Sequence, residues 1–262
     1  MSMFKRMLAS AGIGAAKVDL VLDTDTVTAG DTIGGVVRIE GGRVEQQVDD
    51  VYAYVMTRYL KPSGGSVVEA DAALTKILLA EGFTVEAERV YEFPVSFRLP
   101  LDTPVTLDRI PVWIQTGLDI KEAIDPKDQD YLQVKPHPYA AAVLEAASRL
   151  GLLLRKVSNE YDSSCNNALG VAFVQQFEFV PTSAFQGELD ELELVFRLDE
   201  DGASLLLQID RKARGLAGWL AEVAGADPDR DRFILLRIGR EELDLGADRI
   251  AERLEATIRR HL

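Results

Sequence analysis

VYEFPVSFRLPLDTPVTLDRIPVWIQTGLDI, residues 90–120, is the stretch from which the fold is read. Tyr91, Phe93, Val95, Phe97 and Leu99 alternate without interruption with Glu92, Pro94, Ser96 and Arg98. A period of two places the apolar set on one face of a strand. Pro94 has no backbone donor, so this strand belongs at a sheet edge or carries a bulge. Val112 to Ile120 is a second strand, and Pro100, Pro104 and Pro111 between the two leave no room for a helix. Strands joined through proline turns, with no crossover helix, indicate an antiparallel sandwich rather than a parallel sheet.

Toward the N-terminus the same period continues. It predicts strands over Val18 to Leu22, Val36 to Ile39, Val51 to Leu60 and Thr75 to Ala80. The glycine pairs 34–35, 41–42 and 64–65 read as turns that need positive φ. Ahead of these strands, Met3, Phe4, Met7 and Leu8, with Ala11, form the stripe of a short amphipathic helix that Gly12-Ile13-Gly14 ends. Such a stripe packs on its own core, binds a partner or rests on a membrane. Met3, Phe4, Met7 and Leu8 are therefore the candidate partner-contact residues.

Beyond Tyr131 to Val134, a further strand, Lys135-Pro136-His137-Pro138 interrupts both helix and ladder. Pro136, His137 and Pro138 are read as an interdomain hinge, between a domain of residues 1–137 and one of residues 138–262. The second domain opens with a helix, Tyr139 to Leu150, stopped by Gly151. Strands follow at Leu152 to Ser158, Ala172 to Val180, Leu189 to Leu198, Ser204 to Asp210 and Phe233 to Ile238. A helix is expected at Leu216 to Val223. A last one, Ala247 to Arg260, carries Ile250, Leu254 and Ile258 on one stripe and Glu255 four residues before Arg259.

The chain's 262 residues carry 29 Lys+Arg against 43 Asp+Glu, a net charge of −14. Residues 1–139 hold 14 basic and 21 acidic side chains, and residues 140–262 hold 15 and 22. The negative charge is thus a property of both halves, and it disfavours nucleic acid and stable membrane insertion. Cys165 is alone, so no intrachain disulfide forms and a reducing cytoplasm is the expected setting.

Catalytic constellations fail on inventory. His137 and His261 are the two histidines, one between prolines and one beside the last residue, and no G-x-S-x-G occurs. Cys165 sits in Ser-Ser-Cys-Asn-Asn with no neighbouring base. Gly12-Ile-Gly14 lacks the third glycine of a dinucleotide fingerprint and precedes a strand. Asp227, Asp229 and Asp231 alternate like calcium ligands, yet the following positions lack the glycine and glutamate of an EF-hand loop. Asp125, Asp128 and Asp130 could line an anionic pocket around Lys127, a grouping that chance also produces in so acidic a chain. No catalytic residue, metal ligand or cofactor site is assigned.

Several segments together resemble one family. MFKRMLASAGIGAAKVDLVLDTDTVTAGDTIGGVVRIEGGRVEQQVD at the start, YVMTRY, FPVSFRLPLDTPVT and above all VWIQTGLDIKEAIDPKDQDYLQVKPHP look like the sporulation-control protein M (SpoOM) family. VQQFEFVP, GELDELELVF and LLLQIDRKARGLAGWL extend the likeness over nearly the whole chain. The resemblance implies a mainly β fold of two arrestin-like antiparallel β-sandwich domains. To these the periodicities add a short N-terminal helix, a linker helix and a C-terminal helix. It also implies a non-enzymatic regulatory role, with influence on the onset of sporulation in spore formers. The function expected is a cytosolic adaptor or scaffold binding protein partners at sheet edges. The alternatives are a self-assembling, homo-oligomeric structural protein that uses the same edges, and a sandwich-fold hydrolase with an unrecognised site.

Overall fold

The computed structural model describes residues 15–120, 125–162, 173–211 and 232–262. The expected helices at the N-terminus and at Leu216 to Val223 lie outside them, as do Cys165 and Asp227 to Asp231. The described chain forms two compact units, one ending at Lys135 and one made of residues 136–162 and 173 onward.

In the first unit, β1 (Lys17–Leu22), β3 (Thr32–Glu40) and β6 (Val90–Arg98) form one antiparallel sheet in the order β1-β3-β6. Alternation sorts its faces. Val18, Leu20, Ile33, Val37, Ile39 and Phe97 are buried, and Asp19, Arg38, Glu92 and Arg98 are exposed. Each such burial stabilises by about 1.5–3 kcal/mol. β6 lies at the end of this sheet, where the missing N–H of Pro94 leaves no gap in a ladder.

The second sheet of this unit runs β5 (Ser66–Val85), β4 (Gln46–Ser63), β7 (Val112–Ile120), β8 (Lys127–Lys135) and β2 (Thr26–Thr28). Its inner face presents Val48, Val51, Ala53, Val55, Ile114, Leu118, Ile120, Leu132 and Val134, all buried. β2 pairs with β8 in parallel, over three residues. The side-chain oxygen of Gln46 accepts the Ala16 N–H at 2.7 Å and so fastens the start of β1 to the first residue of β4.

The glycine pairs correct one expectation. Gly64 and Gly65 do turn the β4–β5 hairpin with positive φ, but Gly34 and Gly35 lie inside β3 and Gly41 has no positive φ. Proximity is the constraint there: a Cβ on Gly35 would stand 2.6 Å from the carbonyl oxygen of Val21, on the paired strand.

In the second unit, β9 (Leu152–Tyr161), β10 (Phe173–Pro181), β11 (Leu189–Asp199), β12 (Gly202–Arg211) and β13 (Arg232–Gly239) pair in chain order as an antiparallel meander. Helix α1 (Pro138–Arg149) lies on this sheet against β9, β11 and β12. A five-residue turn of helix, α2 (Arg240–Asp244), leads to α3 (Ala247–His261). Helices α1 and α3 pack against each other; α1 buries Ala140, Val143, Ala146 and Ala147, and α3 buries Ile250, Ala251, Leu254 and Ile258. The expected stripe of α3 is thus its buried face, and Glu255 pairs with Arg259 at 2.8 Å on the exposed one.

Candidate functional site

The longest sheet edge in the first unit is β5. It pairs with β4 from Ser66 to Val85, and among the described strands no other takes its second side. Val67 and Leu78 project from it 66% and 57% exposed. Register shifts opposite Val51/Tyr52 and Val55/Met56 twist the ribbon locally. On the outer face of this sheet Tyr52 packs edge-on to Tyr54, 5.3 Å between centroids, and the Lys76 ammonium stands 4.8 Å from the Tyr52 ring. Gly117 lies beneath that ring, where a Cβ would approach Tyr52 to 2.7 Å. Burial, with Asp125 and Tyr54 nearby, raises the Tyr52 phenol above its ordinary range.

The hinge candidates sit at the entrance of α1. Pro138 is its first residue, a position where the absent N–H is not missed. His137 is the N-cap, and its Nδ1 accepts the Tyr139 N–H at 3.2 Å. The proline-flanked segment therefore starts a helix rather than resisting one. The other histidine, His261, places its Nδ1 2.9 Å from the Thr257 carbonyl within α3. Both rings thus serve helix ends. Met3, Phe4, Met7 and Leu8 lie outside the described residues.

Of the three aspartates expected to line a pocket, two come together. Asp128 and Asp130 alternate on β8, opposite Thr116 and Ile114 of β7, on the face that continues into buried Leu132 and Val134. Asp128 Oδ2 accepts the Leu20 N–H of β1 at 3.0 Å, a contact between the two sheets of the first unit. Asp130 Oδ2 is sealed from solvent with no hydrogen-bond donor directed at it among the described residues. Burial, then the charge and hydrogen bond of Asp128 and the charge of Asp19, push the Asp130 carboxyl up to about 7. Asp125 does different work, accepting the Ile120 N–H at 3.0 Å at the end of β7. The alternation Asp128-Gln129-Asp130 was the available signal. It could not distinguish an inward from an outward face.

The second unit carries an acidic sheet face. Arg155, the extra residue of a β9 bulge, forms ion pairs with both Glu178 and Glu191. Burial and the Glu191 charge raise the neighbouring Glu193 carboxyl. Among the described residues no group of three His, Cys, Asp or Glu side chains is arranged to hold a metal ion. No described helix is long and apolar enough to cross a membrane.

These sheets and helices define a mainly β protein of arrestin-like architecture. A family model described as SpoOM protein matches residues 4–213. The sporulation-control protein spo0M of Bacillus subtilis (strain 168) is 39% identical over 245 residues, 93% of this chain and 93% of that protein. The crystal structure of Spo0M, sporulation control protein, from Bacillus subtilis superposes with a TM-score of 0.83 at 36% identity. That match covers 95% of this chain and 100% of the other. The chain belongs to the SpoOM protein family, as the segments between residues 3 and 220 implied.

Proposed function

We propose that this protein is a regulatory binding module that acts through protein contacts along its sheet edges, without catalysis or a cofactor. Kinship with a protein named for sporulation control supports the regulatory role. The single observation that carries the adaptor reading is strand β5, a twenty-residue edge with Val67 and Leu78 exposed. A partner's extended segment added there gains affinity from main-chain hydrogen bonds and specificity from alternate side chains. In this reading Met3, Phe4, Met7 and Leu8 supply a second contact, and Pro136 to Pro138 hinge two domains. The setting is the cytoplasm, and a net charge of −14 favours protein partners over nucleic acid.

Photocrosslinking in the native cell tests the reading, with a photoreactive residue at position 67 or 78 and a control at Glu252 on the exposed face of α3. A discrete protein adduct is expected at the β5 positions and not at the control, and Glu69→Pro, at a register position whose N–H points away from β4, should abolish it by spoiling the edge. Identical adducts at all three positions, or none at 67 and 78, would refute the β5 contact.

A further inference from the structure

We propose that Asp128 and Asp130 form a proton-operated latch between strand β1 and the second sheet of its unit. One shared proton keeps the pair closed on the Leu20 N–H, and its loss sets two adjacent negative charges under β1 and loosens that seam.

The geometry supplies each part. Leu20 is fully buried, and its N–H, 3.0 Å from Asp128 Oδ2, is a direct hydrogen bond from β1 to β8. The acceptor is a carboxylate, so this bond is strongest while Asp128 keeps its charge. Asp130, two residues along the same face, has an oxygen cut off from solvent with no donor among the described residues. A buried oxygen without a partner is costly, and so are two charged carboxylates side by side. A single proton on Asp130, donated to Asp128, relieves both.

The facing groups do not offset the charge. From β1 these are Asp19, an anion that acts on Asp130, and Lys17, which is exposed. From β8 they are Asp128 and the exposed Lys127. From β7 they are Ile114 and Thr116, both uncharged and fully buried. Thr116 Oγ1 is itself sealed without a hydrogen-bond partner among the described residues, so β7 sends no donor to the pair.

The sign follows. The folded chain keeps a proton that an unfolded aspartate, with a pKa of about 3.9, has already released. The pair's own contribution to folding is therefore fully present below about pH 4 and is lost as pH rises through the raised carboxyl value near 7. The β1–β3 ladder and the Gln46 bond to Ala16 N–H do not titrate in this range, so the change is confined to the β1–β8 seam.

Carboxyl carbon NMR of the full chain between about pH 5 and 9 is the test. One carboxyl of the pair should titrate near 7, with the Leu20 amide shift following the same midpoint. Hydrogen-exchange protection of that amide, corrected for intrinsic rate, should fall about tenfold from pH 6 to 8. Asp130→Asn should abolish both changes and hold protection at its low-pH level. If that variant does not fold, Asp19→Asn at the exposed neighbour should lower the midpoint without removing the step. Titration of both carboxyls below about pH 5.5, or Leu20 protection that stays flat from pH 6 to 8, would overturn the latch.

Discussion

Replacing Arg155 by methionine isolates the cation that neutralises the acidic face of the second unit. The Arg155 side chain is 53% exposed, while its partners Glu178 and Glu191 are only 15% and 22% exposed. An exposed ion pair contributes about 0–1 kcal/mol, and loss of one partner from a buried pair costs about 3–5 kcal/mol. Two shielded carboxylates sharing one half-exposed guanidinium fall between these limits, so Arg155→Met should cost about 2 kcal/mol at neutral pH. In urea unfolding followed by far-UV circular dichroism, that loss lowers the midpoint by about 1 M.

The pH dependence separates charge from packing. Without Arg155 the shielded Glu178 and Glu191 carboxylates lose their cation beside Glu193, whose carboxyl is already raised by burial and by Glu191. Keeping this face charged then costs more in the folded variant than in the unfolded chain. Its stability therefore falls as pH rises through the range between the unfolded and folded values. The deficit measured at pH 7.5 should shrink by about half at pH 5. Arg155→Lys, which keeps the charge but not the planar guanidinium whose Nη2 reaches both carboxylates, should lie between wild type and Arg155→Met. A loss below about 0.5 kcal/mol at pH 7.5, or an equal loss at both pH values, would refute the reasoning.

Two further outcomes are expected. Gly35→Ala should destabilise by about 1–3 kcal/mol in thermal unfolding, because its Cβ would meet the Val21 carbonyl 2.6 Å away on β1; an unchanged midpoint would show that the strands part freely there. Asp199, held at about 2 by the two-pronged hydrogen bonds of Arg237, contributes stability that is present above the ordinary aspartate range and lost as pH falls toward 2. In Arg237→Met, NMR titration should find its midpoint back near 4.

Local pattern carried much of the architecture. The alternation from Tyr91 to Leu99 became β6, the Val112 to Ile120 strand became β7, and the Ile250-Leu254-Ile258 stripe became the buried face of α3. These readings worked because a strand's period of two and a helix's period of 3.6 leave a trace wherever one face is buried. Features without such a trace escaped. β2 is only three residues long and exists through its pairing with β8, and α2 is a single turn between β13 and α3. Gly34 and Gly35 looked like a turn because glycine signals backbone freedom as readily as close approach.

The sequence by itself determined that this is a mainly β chain of the SpoOM family, with helices where residues 139–150 and 247–260 place them. Those properties follow from periodicity, proline placement and segment order, all of which are local. Only the tertiary structure decided that Asp128 and Asp130 face inward and that Asp128 reaches the Leu20 N–H, 108 residues away. It likewise decided that Arg155 meets Glu178 and Glu191, and that β5 has one side without a strand among the described residues. Each of these depends on which strand lies beside which, and on the face a register presents. A one-residue slip would turn the same aspartates from the core to the solvent.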